Sequence, residues 1–314
     1  MRAIPILFTF DESLLMPAKV CITSLLMNAN KDTFYDIFVL HSDKINLSGK
    51  GLEELEEDFG NCRITFRSIK GEFIGAYEVR GIPETAYYRL ISPELIPEYD
   101  KFLYSDVDVI FRDDLCHYYE VDIGDNYLGA VDNGSKFRPW VRNYLSKTLH
   151  IDPDNGYYYS GNLIINAKAI RRDNMTAKFR ELAKNKYLQQ DMDIINISCN
   201  GRIFPIGPSF CMTNYLYRYL ILYRDVMREQ FSDEEMDYAL AKGIVHYNGP
   251  KPWKETCMNM DIWWDYYRRS SCYDPRFAYD FWYNETYRLE KMSLWKRIKL
   301  VARFFRTGGH IKDK

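Results

Sequence analysis

Through roughly its first 170 residues this 314-residue chain alternates short apolar runs with amphipathic stretches, and that alternation limits what it can fold into. Residues 4–10 are almost wholly apolar, as a strand buried on both faces must be. Pro17 then falls where a helix accepts proline, in a first turn, and Val20, Ile22, Leu25 and Leu26 supply an apolar face to about Asn30. Residues 35–41 and 63–69 read as the second and third strands, with a Glu-rich helix from Ser48 to Gly60 between them. Further strands are expected over 101–111, 127–131 and 163–166, and a helix over 169–186. This β-α order predicts an α/β sandwich around a mostly parallel sheet. Beyond residue 200 the pattern loosens into aromatic-rich sequence with short strands at 203–206 and 243–247. We expect one large domain over 1–270 and a helical, aromatic and basic appendage over 271–314.

Charge and composition narrow the classes. Forty-two Lys and Arg against 44 Asp and Glu leave a formal net charge of −2, so the chain lacks the basic footprint of a nucleic-acid binder, and none is expected as a partner. The seven cysteines are scattered, with no C-x-x-C pair, and indicate neither a disulfide framework nor a cysteine zinc site. No run approaches the ~18 apolar residues of a membrane span. The N-terminal run is too short for a signal sequence and stops at Asp11 and Glu12, which reads as the first strand of a cytoplasmic protein. Residues 291–314 carry eight Lys and Arg against one acid, Asp313. Leu294, Trp295, Ile298, Val301, Ala302, Phe304 and Phe305 recur through them at roughly helical spacing. Such a helix either lies on an anionic membrane surface or docks on its own domain with its charges in water. The sequence leaves both open.

The chemistry concentrates in two places. Within the apolar run at 101–111 stand Asp106 and Asp108. On a strand, residues two apart point to the same side, so two negative charges are crowded in or at the end of a buried element. Burying them unpaired would be costly, and a divalent cation resolves the conflict; hard carboxylate oxygens suit Mn²⁺ or Mg²⁺. The plainer alternative is an Asp pair in a turn capping the next helix. At the C-terminal end of a strand in an open α/β sheet, where ligands bind by rule, the cation is the stronger reading. The second place is Ile244-Val-His246-Tyr-Asn-Gly249-Pro-Lys251-Pro-Trp253. Here a histidine follows an apolar run, a glycine permits close backbone approach, and a lysine is held between two stiff prolines. Imidazole suits a third metal position and lysine a phosphate.

With these motifs in view the chain resembles glycosyltransferase family 8, the group of bacterial lipopolysaccharide galactosyl- and glucosyltransferases and glycogenin. The motifs run in order over about residues 4–255: the first strand into Asp11, Ala86-Tyr-Tyr-Arg89-Leu, Tyr104-Ser-Asp106-Val-Asp108, Tyr158-Tyr-Ser160-Gly161-Asn-Leu-Ile-Ile-Asn166, Asp191-Met-Asp193-Ile-Ile-Asn196, and the segment from His246 to Trp253. The resemblance implies a GT-A fold, a Rossmann-like nucleotide-binding sandwich. It also implies retaining transfer of a hexose from a UDP-sugar to a glycan or glycolipid acceptor, with Mn²⁺ as cofactor and Mg²⁺ as the alternative. Asp106, Asp108 and His246 would hold the metal, with Asp106, Gly249 and Lys251 at the nucleotide diphosphate. Thr9 and Asp11 would line the nucleoside pocket, Arg89 and Asp191 would face the donor sugar, and Asp132 would lie on the acceptor side.

Plainer roles stand beside these: Asp11 as a helix cap, Arg89 as partner of a neighbouring carboxylate, Asp191 and Asp193 as first-turn acids, Lys251 as a surface cation. Two positions depart from the family pattern: Tyr159 stands where many members have Asn, and Met192 where many have Gln. Met192 offers neither a nucleophile nor a strong hydrogen bond. Two rival functions therefore stay open on sequence: a non-catalytic nucleotide-sugar or glycan-binding protein, and a sugar nucleotidyltransferase. Against the latter, no Gly-rich triphosphate loop follows the first strand.

Overall fold

A computed structural model describes residues 2–44, 46–73, 76–77, 84–288 and 290–306. Among the described residues ten strands are formed: β1 (Arg2–Thr9), β2 (Thr33–Ser42), β3 (Cys62–Ile69), β4 (Phe102–Ser105), β5 (Val109–Ile110), β6 (Leu128–Ala130), β7 (Asn162–Ile165), β8 (Ile203–Pro205), β9 (Met212–Thr213) and β10 (Val245–His246). Seven of them make one sheet in the order β3-β2-β1-β4-β7-β6-β8. The half from β3 to β4 is parallel throughout, β7 runs antiparallel to β4 and β6, and β8 is parallel to β6. A second, three-stranded sheet has the order β5-β10-β9.

The period-2 rule decides which residues face which layer. Ile4, Ile6 and Phe8 of β1, with Leu103 of β4, join the core that holds Ala18, Ile22 and Leu25 of helix α1 (Leu15–Met27). Leu7, Phe102 and Tyr104 face the opposite core. After the short α2 (Glu54–Phe59), three of the helices that follow supply residues to that second core: α3 (Tyr88–Leu95), α6 (Ala167–Arg172) and α7 (Met175–Leu182). Between them in sequence come α4 (Cys116–Glu120) and α5 (Pro139–Tyr144). Beyond them, α8 (Asp191–Ser198) also enters the second core through Ile194 and Ile195. Next follow α9 (Asn214–Leu222), α10 (Arg224–Met227) and α11 (Asp233–Lys242). A third cluster joins Ile110 and Val245 of the small sheet to Trp263, Trp264 and Tyr267 of α12 (Met260–Arg269) and Phe281 of α13 (Pro275–Thr286). Apolar continuity thus runs past residue 270 to Phe281, and the chain ends in α14 (Leu294–Arg306).

Three element expectations are corrected. The strand expected over 101–111 is interrupted: β4 stops at Ser105 and β5 resumes at Val109, so Asp106 and Asp108 occupy a break rather than one strand face. The first Glu-rich helix starts at Glu54, not Ser48, and ends as expected at Gly60, whose φ of 67° stops it. The helix expected over 169–186 is two, divided at Asp173 and Asn174, where Asn174 takes a left-handed φ of 49°. Among the described residues no helix is long and apolar enough to cross a membrane. Within α14, Trp295 is 74% exposed and Leu294 71%. Lys312, Asp313 and Lys314 of the basic tail lie outside the described residues.

Candidate active site

β1 has β2 on one side and β4 on the other, and the chain leaves it in both directions across the sheet. The C-terminal ends of β1 and β4 therefore flank a topological switch point, the place where open α/β sheets bind ligands. Phe8 pairs with Ser105, so Thr9 and Asp106 emerge side by side. The break after Ser105 is held by Asp106 N–H donating to Gly161 O at 2.8 Å. Across the small sheet, His246 pairs with Val109 on one side and Thr213 on the other, and Tyr247 N–H donates to Asp108 O at 2.9 Å. These pairings bring one ligand atom each from Asp106, Asp108 and His246 within 4.8 Å of one another. His246 Nε2 lies 3.2 Å from Asp108 Oδ1 and 3.7 Å from Asp106 Oδ2.

The charges around this trio are matched. Lys251 Nζ pairs with Asp108 and also donates to Tyr247 O at 2.6 Å. Buried Arg89 reaches Asp106 Oδ1 at 2.9 Å and Asp191 Oδ2 at 3.4 Å, while donating to Ala86 O and Ser160 O. Its guanidinium stacks over Tyr104, whose hydroxyl donates to Asp106 Oδ1 at 2.6 Å and lies 3.2 Å from Thr9 Oγ1. Burial would push the Asp108 carboxyl up, but His246 and Lys251 outweigh it and hold it well below the usual carboxylate range. Burial also works against the His246 imidazolium, yet Asp108 lifts that group well above an ordinary histidine. Burial raises Asp191 despite the opposing pull of Arg89, and its Oδ2 accepts no hydrogen bond.

Two carboxylates and an imidazole form a donor set suited to Mn²⁺ or Mg²⁺. A second observation fits a cation. A Cβ built on Gly161 would lie 2.3 Å from His246 Cε1 and 2.9 Å from Asp106 Oδ2, so only glycine lets this backbone close over the trio. Of the residues singled out from sequence, Asp106, Asp108, His246, Lys251, Arg89 and Asp191 form one connected network, and Thr9 joins it through Tyr104. Asp11 caps the following turn by accepting from Ser13 N–H at 2.9 Å. Asp132 closes a turn, accepting from Ser135 N–H and Ser135 Oγ at 2.7 Å and from Tyr157 N–H at 3.0 Å. Gly249 is exposed, and a Cβ there would meet nothing closer than Asn214 Nδ2 at 3.7 Å.

Sequence reasoning assigned no role to Tyr104, Gly161, Cys211 or Asn214. Tyr104 and Gly161 lie inside the family motifs; nothing in the sequence marks Cys211, whose Sγ is 3.4 Å from His246 Nδ1, or Asn214, whose Oδ1 is buried without a hydrogen bond. Of the two departures, Tyr159 is buried and its hydroxyl accepts from Thr213 at 3.1 Å, while Met192 packs half-buried against the core.

A family model described as glycosyl transferase family 8 matches residues 5–257. Glycosyltransferase GlyA of Streptococcus pneumoniae serotype 4 is 26% identical over 245 residues, 73% of this chain and 30% of its own length. General stress protein A of Bacillus subtilis is 25% identical over 240 residues, covering 73% of this chain and 80% of the relative. Among solved structures, the bifunctional glycosyltransferase WbbM superposes with a TM-score of 0.70 at 22% identity, over 90% of this chain and 52% of its own. The galactosyltransferase LgtC, solved with donor and acceptor sugar analogues, gives a TM-score of 0.68 at 24% identity, over 88% of this chain and 99% of its own. At such identities the structural likeness speaks for the fold.

Proposed function

The chain belongs to glycosyltransferase family 8 and carries the GT-A fold, and from that premise we propose that it is a retaining hexosyltransferase moving glucose or galactose from a UDP-sugar to a hydroxyl of a glycan or glycolipid acceptor, dependent on Mn²⁺. Cell-envelope polysaccharide synthesis, lipopolysaccharide included, is the setting this reading assigns. Its main support is the convergence of Asp106, Asp108 and His246 at the switch point, with Lys251 beside them and the Arg89–Asp191 pair behind.

Each group has a task in breaking the sugar–phosphate bond. A divalent cation held by Asp106, Asp108 and His246 would supply Lewis acidity to the departing diphosphate. Lys251, on its short proline-bounded segment, adds a positive charge where negative charge develops. Gly249 lets backbone approach the phosphates, and Thr9 and Asp11 line the nucleoside pocket at the end of β1. Arg89 fixes Asp106 for the metal and Asp191 for the sugar. Asp132, already braced by Ser135 and Tyr157, stands on the acceptor side. The acceptor hydroxyl attacks from the leaving-group face and gives its proton to a phosphate oxygen, so no enzyme nucleophile is needed. Met192 supports this front-face route, since it supplies no nucleophile; Asp191 is the carboxylate a double displacement would use.

We also assign α14 to the anionic inner face of the cell membrane. Its exposed Leu294, Trp295, Val301 and Phe305 and its Lys and Arg residues support that partner. The direct test of the enzymatic reading is Asp108→Ala. It should abolish both Mn²⁺-dependent UDP-sugar hydrolysis and transfer, measured as UDP release; turnover like wild type would refute the metal assignment.

A further inference from the structure

A cationic and aromatic stack leads outward from the site, and neither the metal nor the donor accounts for it. The Arg138 guanidinium carbon lies 3.6 Å from the Tyr215 ring centroid and 4.7 Å from that of Trp140. Arg138 is fixed by donating to Asn133 Oδ1 at 2.7 Å, while its Nε is buried and makes no hydrogen bond. Tyr215 is backed by Tyr219, ring centroids 4.4 Å apart, which ties the stack to α9. Core packing does not explain Trp140, which is 47% exposed on the first turn of α5. An indole left half in water is large apolar surface that usually serves binding.

The stack is continuous with the site. Thr213, the register partner of His246, is followed by Asn214, whose amide lies nearest to Gly249, and then by Tyr215. From the other side, Asn133, which anchors Arg138, directly follows Asp132. The row therefore starts beside the phosphate-approach segment and the acceptor-side Asp132, and it ends at Trp140, whose ring stays half in water although Arg138 at 4.7 Å and Tyr144 at 6.4 Å approach it. Flat aromatic faces with a few fixed donors are what a pyranose requires: its C–H face packs on the ring and its hydroxyls take the donors.

We propose that Trp140, Arg138 and Tyr215 form an acceptor subsite for the second sugar unit of a glycan, the unit next to the one that is glycosylated. Trp140 stacks on that unit, and Arg138 donates to a hydroxyl or an acidic substituent on it. This inference rests on the transferase reading above, and the experiment separates the two. Wild-type enzyme is first assayed for UDP release from UDP-glucose and UDP-galactose with Mn²⁺ and no acceptor; absence of release overturns the transferase reading itself. Methyl glucoside and methyl galactoside are then compared with maltose and lactose as acceptors. The subsite predicts a KM about tenfold lower for an accepted disaccharide than for its methyl glycoside. In Trp140→Ala the advantage should disappear, and Trp140→Phe should recover most of it. Equal KM values for the disaccharide and the methyl glycoside in wild type, a disaccharide KM unmoved by Trp140→Ala, or transfer to none of the four sugars despite UDP release would overturn the subsite.

Discussion

A single methyl group at position 161 would meet His246 and Asp106 at 2.3 and 2.9 Å, closer than real Cβ atoms approach. Either the imidazole or the backbone must then yield, and both frame the proposed cation site. Gly161→Ala should therefore weaken Mn²⁺ binding about 10- to 100-fold, the usual scale for disturbing the support of metal ligands, which an electron paramagnetic resonance titration reads directly. Affinity equal to wild type would show that the close approach has no part in metal binding. At this scale the sequence was informative about residue types and silent about contacts. Asp106 and Asp108 announced themselves as paired carboxylates in an apolar run. Cys211 did not, because a buried cysteine is ordinary and its place beside His246 Nδ1 arises from strand pairing alone.

Among the elements, α14 combines exposed apolar residues with Lys296, Arg297, Lys299, Arg303 and Arg306. Each basic residue near an anionic surface contributes about 1 kcal/mol, so deleting residues 291–314 should lower co-sedimentation with anionic liposomes at least about tenfold, more at low salt than at high. Unchanged sedimentation would reject the membrane role. Long apolar runs such as β1 and β2 were legible because burial on both faces leaves no alternative. The break that sets the two-residue β5 apart from β4, and the two-residue β9, were not legible. The hydrogen bonds of both strands are made to β10, distant from β5 in sequence, and local propensity does not encode them. The split between α6 and α7 was missed for another reason: the apolar period continues across it, and only the left-handed Asn174 breaks the helix.

Across the whole molecule, the site exists because two sheets meet. The large sheet carries Thr9 and Asp106 to the ends of β1 and β4, and the small one returns His246 and Lys251 to them from beyond residue 240. Apolar pattern foretold the first sheet. It could not foretell the second, because in the sequence only family resemblance links the 106–108 segment to 246–251. The aromatic cluster that buries Trp263, Trp264 and Phe281 against Ile110 and Val245 braces the small sheet from behind, so the C-terminal third also supports the geometry of the candidate cation site. The proposed metal-assisted transfer depends on that site holding a metal. Anomalous diffraction from crystals soaked with MnCl₂ and UDP would locate the ion itself. One strong manganese peak is expected, bounded by Asp106, Asp108 and His246 and touching the diphosphate. Strong peaks elsewhere with none among these three side chains would contradict the metal assignment and the transfer chemistry built on it.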